Sequence, residues 1–541
     1  MSAAKAQTTG VPLHSTGAYL LDRAYILSGG AAVFHPEIKP LSRRDAAAFA
    51  AHLDTVGRSG DASYLLRDNN EWLPDSSRFN SPGRGLLKYF YRTPAHFFEV
   101  NVPHFRLRAQ PMIHFMTGRE QADGGHLFQN QRGVDLRGVV DEKLFFHTQI
   151  IEIQARFPRY VAQRIGETLA LPGAGFFKGY NSRFFNVQNG YDYNLAAASL
   201  GFQATRHFGI QIGHGKHFLG NGYRSLFLSD FSAPLFYLQF DTRVWKFHYK
   251  NLFLELSPVS QVQIPDGTIL PKKYAAIHYL NFKPAPRLAF GFFEATVFNR
   301  SRQFEFQYLN PVILYQSVEG MIGSPDNVLL GADVRWDFLR CFQLYGQFLL
   351  DELSFSKLQR GSGWWANKWS IQSGLKYVNA FGLNRVDLQI EHNRSRPYTY
   401  SHEDPYNSYT HYNQPLAHPS GANFSETLLL LRWQPQRRLF LQARALHLRS
   451  GEDTPEANWG SNPLLNYVTR VRDYGNEIGQ GVGVRIDLIG IEASWALWHN
   501  LFLDVRYQYR KKNSVEDVRD SRTHLFGAGI RWNIWSQNLD F

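Results

Sequence analysis

The chain has 541 residues, a formal net charge of +12, and aromatics at 15%, with 42 Phe and 27 Tyr. Mean hydropathy is only −0.34, and no run approaches the ~18 apolar residues of a membrane-crossing helix, which excludes transmembrane helices. The lone Cys341 excludes an intramolecular disulfide framework.

Residues Ala4-Lys5-Ala6 before Gln7 have the small-x-small form of a signal-peptidase site. Residues 1–6 therefore read as a signal-peptide remnant, although no hydrophobic region precedes them. Residues 7–82 read as a partly helical periplasmic segment. Ser42 and Asp45 form a capping-box-like start, Ala46, Phe49, Leu53 and Val56 follow at helical spacing, and a second short piece falls in Ala62–Leu73. The segment is expected on the periplasmic side of a barrel, or plugging its lumen there.

From Gly83 to Phe541 two-residue periodicity takes over, with no linker or composition shift. Phe97–Phe115 predicts two strands, with Pro103 and Pro111 near their limits. Val134–Gln154 predicts a hairpin turning at Asp141-Glu142, and Phe157–Leu171 a short amphipathic helix between strands. Phe208–Pro258 organises the chain. A strand with Phe208, Ile210 and Ile212 on one face breaks into a Gly-, His- and Asn-rich rim, then returns as two strands after Pro234. In Leu501–Arg510, Leu501, Leu503, Val505, Tyr507 and Tyr509 alternate with Asp504, Arg506, Gln508 and Arg510. A central Arg on a lipid face costs about 2–4 kcal/mol, so the charged face must meet water.

Short turns such as His499-Asn500 alternate with long loops such as Arg394–Asn423, the pattern of a membrane barrel with short periplasmic turns. The count is roughly 16–18 strands, the last being Leu525–Trp535, with Phe541 as a terminal aromatic. Gly479, Gly481 and Gly483 share one face and are expected to let the wall curve. The fold class is thus all-β, a transmembrane antiparallel barrel with a small helical N-terminal part. A large secreted all-β protein is the alternative that periodicity leaves open.

No HExxH, GxSxG or P-loop is present, and no carboxylate pair stands out, so no enzyme is supported. His214 and His217 have metal-compatible spacing without a third ligand; hydrogen bonding at the rim is the default, and no metal or cofactor is expected. Two polar stretches remain. Gly213–Asp230 carries His214, Lys216, His217, Asn221, Tyr223 and Arg224, and Arg396–Asn423 carries Tyr398, Tyr400, Tyr409 and Tyr412. Tyrosines offer flat faces and polar tips to hydroxyl-rich ligands, and Lys216 and Arg224 would suit an acidic polymer. A self-packed loop capping the barrel explains the tyrosines equally well, and basic residues filling a wet lumen explain the charge.

GHGKHFLGNGYRSLFLSD and RPYTYSHEDPYNSYTHYNQPLAHPSGANF resemble signature segments of the capsule-assembly Wzi family, in the branch that includes the gliding-motility protein RemB. RGVDLRG at 132–138, YLNPVILYQSVEG at 308–320 and GSPDNVLLGAD at 323–333 support the resemblance. It implies a bacterial outer-membrane barrel with a lectin-like role in holding surface polysaccharide or, in the gliding branch, a motility or secretion accessory. Expected partners are surface polysaccharide, outer-membrane lipid and lipopolysaccharide, and other envelope proteins; no nucleic acid is expected.

Overall fold

The computed structural model describes residues 8–55, 59–73, 89–121, 125–260, 268–300, 303–312, 314–323, 326–535 and 538–541. The signal-peptidase-like site, Val56 and the expected boundary at residues 82 and 83 lie outside these. Among the described residues eighteen strands, each antiparallel to its chain neighbours, close into a barrel when the last pairs with the first. They are β1 Phe105–Glu120, β2 His126–Val140, β3 Leu144–Arg156, β4 Val187–Gln203, β5 Phe208–Gly215 and β6 Leu235–Val244. Next come β7 Phe247–Leu256, β8 Lys273–Ala285, β9 Leu288–Phe298, β10 Asn327–Phe338, β11 Phe342–Glu352 and β12 Lys368–Tyr377. The wall ends with β13 Val386–Ser395, β14 Phe424–Gln436, β15 Leu439–Glu452, β16 Val482–Trp498, β17 Leu501–Ser514 and β18 Ser521–Trp532. A closed barrel leaves no strand edge unpaired in lipid, the condition for spanning a membrane with strands.

The two faces of the wall sort as the alternation requires. On β17, Leu503 and Val505 are exposed on the outside while Asp504, Gln508 and Arg510 are buried in the lumen. Arg531 of β18 crosses to Asp504 at 2.7 Å, pairing these two lumenal charges, and Arg510 donates to the Phe541 carbonyl at 3.2 Å. Around the short-turn end Trp245, Trp336, Trp433, Trp495 and Trp498 stand exposed, forming an aromatic girdle.

Three sequence expectations change. Pro111 is not a strand limit but sits inside β1, between the stretch Phe105–Ala109 that pairs with a short strand Phe98–Val102 and the stretch Ile113–Glu120 that pairs with β18. A missing N–H is tolerated in such a gap. Gly479 and Gly481 lie in the loop before β16 with φ of 90° and 93°, so they make the turn rather than curve the wall. The last strand stops at Trp532, and Phe541 lies inside the barrel, buried between Tyr160, Arg164 and Phe231.

The N-terminal helices lie across the short-turn end. They are α1 Thr16–Leu27, α2 Arg43–Thr55 and α3 Ser59–Asp68, packed around Leu21, Tyr25, Phe49, Leu53 and Leu65. Ser15 caps α1 by accepting from the Ala18 N–H at 3.0 Å. The helix ends at Gly29 and Gly30 in the left-handed region, and a Cβ on Gly30 would stand 1.9 Å from the Pro286 carbonyl oxygen. The bundle is tied to one short turn after another. Arg44 donates to the Glu142 carbonyl (2.8 Å), Lys283 to that of Ala32 (2.6 Å), Arg385 to Asp61 (3.0 Å) and Tyr64 to Asn500 (2.5 Å).

Candidate functional site

At the other end the long loops turn inward. In the β5–β6 connection, Leu226, Phe227 and Leu228 are fully buried against lumenal side chains Leu252, Leu254, Ile277 and Leu329. Polar backbone in that dry core needs partners, and the β13–β14 connection supplies them. Ser229 N–H donates to the Leu416 carbonyl (2.8 Å), and the Tyr400 hydroxyl to the Leu226 carbonyl (2.9 Å). From below, Ile38 and Lys39 pair with Leu219 and Phe218, so the N-terminal segment and the outer loop meet inside the barrel.

The plug is held by charge as well. Arg224 donates to Glu426 (3.2 Å) and Asp540 (3.1 Å), and its backbone N–H to Glu391 (3.0 Å), all buried. His418 reaches the same Glu426 at 2.9 Å. Loop and C-terminal tail are thereby locked to the wall.

What the plug leaves open is a chamber of about 410 Å³ against β1–β5 and β15–β18, roofed by α4 (Arg159–Thr168) and floored by Thr8–His14. It reaches Gly118, Leu127 and Gly527, near the long-loop ends of their strands. Its volume is within the ~300–1,000 Å³ of small-ligand sites. Six inward-facing glutamines, Gln129, Gln131, Gln149, Gln211, Gln442 and Gln508, share the polar lining with charged residues and histidines. Tyr160, Tyr193, Tyr237 and Trp535 add rings, with Gln508 donating to the Tyr160 hydroxyl and Gln211 to that of Tyr237, each at 3.0 Å. His114 and His217 are buried at the chamber, and neither ring has a hydrogen-bond partner among the described residues. Amide groups that both donate and accept, set beside aromatic faces, match a ligand rich in hydroxyls.

Several of the chamber's charges are paired, while Arg156 donates to the His126 carbonyl at 3.0 Å. Arg506 pairs with Glu492 at 3.1 Å and His147 with Asp135 at 2.6 Å. His14 meets Asp230 at 2.5 Å, and this pair divides the chamber from a second one of about 260 Å³ lined by Tyr19, Asp22, Tyr223 and Lys376. His14 lies deep in the barrel yet keeps 41% of its side-chain surface on the open chambers. Burial works against its charge, but the Asp230 carboxylate outweighs it and raises the imidazole above its usual 6.5. Asp230 is held well below the usual carboxylate range: burial opposes this, and the His14 charge and hydrogen bond override it. Burial pushes Lys216 down to about 8, and its ammonium donates to the Asp230 carbonyl at 3.0 Å. Burial also keeps His217 neutral. Among the described residues no three His, Cys, Asp or Glu side chains group as a metal site.

The predicted site residues divide accordingly. His214, Lys216 and His217 border the first chamber, and Tyr223 the second, its hydroxyl 2.5 Å from Asp540. Asn221 and Arg224 are buried, and Arg224 is neutralised, so it does not serve an acidic polymer as expected. The loop 396–423 was expected to face outward, but it folds in. Tyr398, Tyr400 and Tyr409 are at most 1% exposed, and Tyr412 packs on Gly175. The Tyr398 and Tyr400 hydroxyls donate to the buried Asn458 and Leu226 carbonyls, whereas the Tyr409 hydroxyl is buried without a hydrogen-bond partner among the described residues. Sequence reading missed the glutamines: Gln149 stands on the polar face of the hairpin it located, but Gln129 and Gln131 precede that hairpin's expected start at Val134.

A protein-family model described as Capsule assembly protein Wzi matches residues 124–525. No curated protein matches the chain. Among solved structures, Escherichia coli Wzi, described as an outer membrane protein involved in group 1 capsule assembly and a carbohydrate-binding β-barrel, is similar with TM-score 0.59. Its identity is 14%, over 98% of this chain and 100% of that one. Pseudomonas aeruginosa OprD (TM-score 0.42, 8% identity, 79% of this chain and 94% of that) is also similar. So is Acinetobacter baumannii OccAB2 (TM-score 0.42, 9% identity, 80% and 98%).

Proposed function

From the premise that the chain belongs to the capsule assembly protein Wzi family and is an outer-membrane barrel, we propose that it holds surface polysaccharide by seating a glycan segment in the glutamine-lined chamber. The observation that carries this is the lining itself. Amides from β2, β3, β5, β15 and β17 converge with tyrosine rings on a cavity reaching the long-loop end. The described carbohydrate binding of the E. coli relative supports the same reading. The role is binding and not catalysis, and in this reading it depends on hydroxyls more than on charge because chamber ions such as Arg506–Glu492 and His147–Asp135 are paired. On the same reading the chain divides into an N-terminal segment, 7–82, whose described helices cover the short-turn end while Thr8–His14 and Ile38–Lys39 enter the lumen, and the barrel, 83–541. A gliding or secretion role rests on the loop resemblance alone and has no observation of its own in the structure.

Cells lacking the gene and complemented with Gln131→Ala, Gln149→Ala and Tyr193→Ala together should assemble a heat-modifiable barrel yet shed polysaccharide into the medium. Normal retention with a normally folded variant would remove the chamber from the function.

A further inference from the structure

On most of the wall polar side chains face in and apolar ones out. On β7–β9 the inner face turns apolar in its middle, and a polar patch interrupts an otherwise apolar outer face. Leu252, Leu254, Ala275, Ile277 and Ala295 turn inward and are buried in the plug core. Asn251, His278 and Glu294 turn outward, brought side by side by the register pairs Asn251–His278 and His278–Glu294. His278 Nδ1 stands 3.5 Å from the Glu294 carboxylate. Four residues down β8 from His278, Phe282 stacks on Phe247 beside Trp245 in the short-turn girdle. At ~3.4 Å per residue and a tilt of ~40°, His278 sits ~10 Å into an apolar band ~25 Å tall. A bare ionisable pair at that depth would meet acyl chains.

It is not bare. The β9–β10 connection descends the outer wall and covers it. The Tyr315 ring stacks on His278 with centroids 3.9 Å apart, and the Tyr249 hydroxyl donates to the Pro311 carbonyl at 2.7 Å. Tyr308, Tyr315 and Val318 are buried against Phe253, Ala276 and Phe298. The opposite surface of this segment presents large apolar side chains among the exposed polar Gln307, Asn310 and Ser317. Phe306, Val312, Leu314 and Met321 are 65–84% exposed, and no charged residue occurs from Phe306 to Val318. Because Pro311 contacts Tyr249, only two residues above Phe247, these side chains stand at membrane depth, in line with exposed wall residues such as Phe292.

We propose that residues 303–312 and 314–323 form an intramembrane flap, one face sealing the His278–Glu294 patch and the other docking on the acyl chains of the outer membrane. The segment is thus neither an external loop nor a protein-docking site. Its inward face covers the polar patch that these strands cannot leave open to lipid.

The test uses the full chain with Cys341→Ser, a fluorophore on a single cysteine introduced by Leu314→Cys or Met321→Cys, and phospholipid vesicles. Brominated acyl chains should quench the label strongly, and aqueous iodide should leave it almost unchanged. Quenching by iodide and not by bromolipid would overturn the proposal by placing the segment in water. Protection from both quenchers would overturn it in favour of a protein partner. A second measurement deletes 305–322 and reads the temperature at which the compact band is lost on a detergent gel. The deletion should lower that temperature by several degrees, and adding His278→Leu with Glu294→Leu should restore most of the loss. Failure of the double substitution to rescue would show that the flap does not shield the pair.

Discussion

Arg224 holds the outer plug in place, and Arg224→Ala tests how much depends on it. The guanidinium is buried, donates to Glu426 and Asp540, and leaves both carboxylates in the lumen when removed. Removing one partner of a buried ion pair costs about 3–5 kcal/mol, since the remaining charge is uncompensated. Glu426 retains His418 at 2.9 Å and Asn393 at 3.1 Å, which places the cost toward the lower figure. Three kcal/mol is ~10²-fold in the population of the opened loop, and proteolysis tracks that population when opening is fast relative to cleavage. Lys-C cutting after Lys216, in the same connection, should therefore accelerate by ~10² in the folded barrel. Arg224→Ala with Glu426→Gln should recover part of the protection. Unchanged cleavage in Arg224→Ala, with the compact band retained, would refute the argument that buried charge pairing locks the plug.

Three further outcomes follow from the geometry. Arg23 and Tyr19 of α1 both donate to Asp387 beside the 378–385 turn, so Arg23→Ala should cost about 3 kcal/mol. It should expose α1 to protease from the short-turn side without loss of the barrel band. The His14–Asp230 pair makes docking of Thr8–His14 pH-dependent. The raised His14 value gives a contribution complete below 6.5 and lost as pH rises through that value. The depressed Asp230 value gives one complete above 3.8 and lost only as pH falls through it. Lys216 and Lys39, each pushed by burial to about 8, face the same pair and discharge on the alkaline side, relieving part of their repulsion of His14. Hydrogen exchange of residues 8–15, corrected for intrinsic rate, should show greatest protection between these limits and a decline in alkali that His14→Gln abolishes. Tyr400→Phe removes a donor to the buried Leu226 carbonyl (2.9 Å) and should cost about 1–3 kcal/mol of plug stability, read by the same Lys-C assay.

Much of the wall was legible because alternation is a local signal. Strands such as Leu501–Arg510 carry their inward and outward faces in consecutive residues, and the Asp141-Glu142 turn and the helix over Arg159–Thr168 were found in the same way. The destination of the long loops was not legible. Whether Tyr398–Tyr412 lies on the surface or in the lumen depends on contacts with Leu226, Ser257 and Gly460, which are distant in sequence. Helix α1 was missed although Ser15, Leu20, Leu21 and Ala24 carry a cap and helical spacing. The outward polar patch on β7–β9 was hidden for a related reason. Periodicity shows that a strand has two faces, but not which one meets lipid once a plug and a flap cover both.

The claim that the chamber holds the glycan is tested most directly by calorimetric titration of the detergent-purified protein with oligosaccharide fragments of its host's capsule. Losing three contacts at about 1 kcal/mol each should weaken binding by ~10² in the Gln131→Ala, Gln149→Ala, Tyr193→Ala protein. Tyr406→Ala, an exposed position on the β13–β14 loop away from the chamber, should bind as the unaltered protein does. Full affinity in the chamber variant, or loss of affinity only in Tyr406→Ala, would contradict a lumenal glycan site.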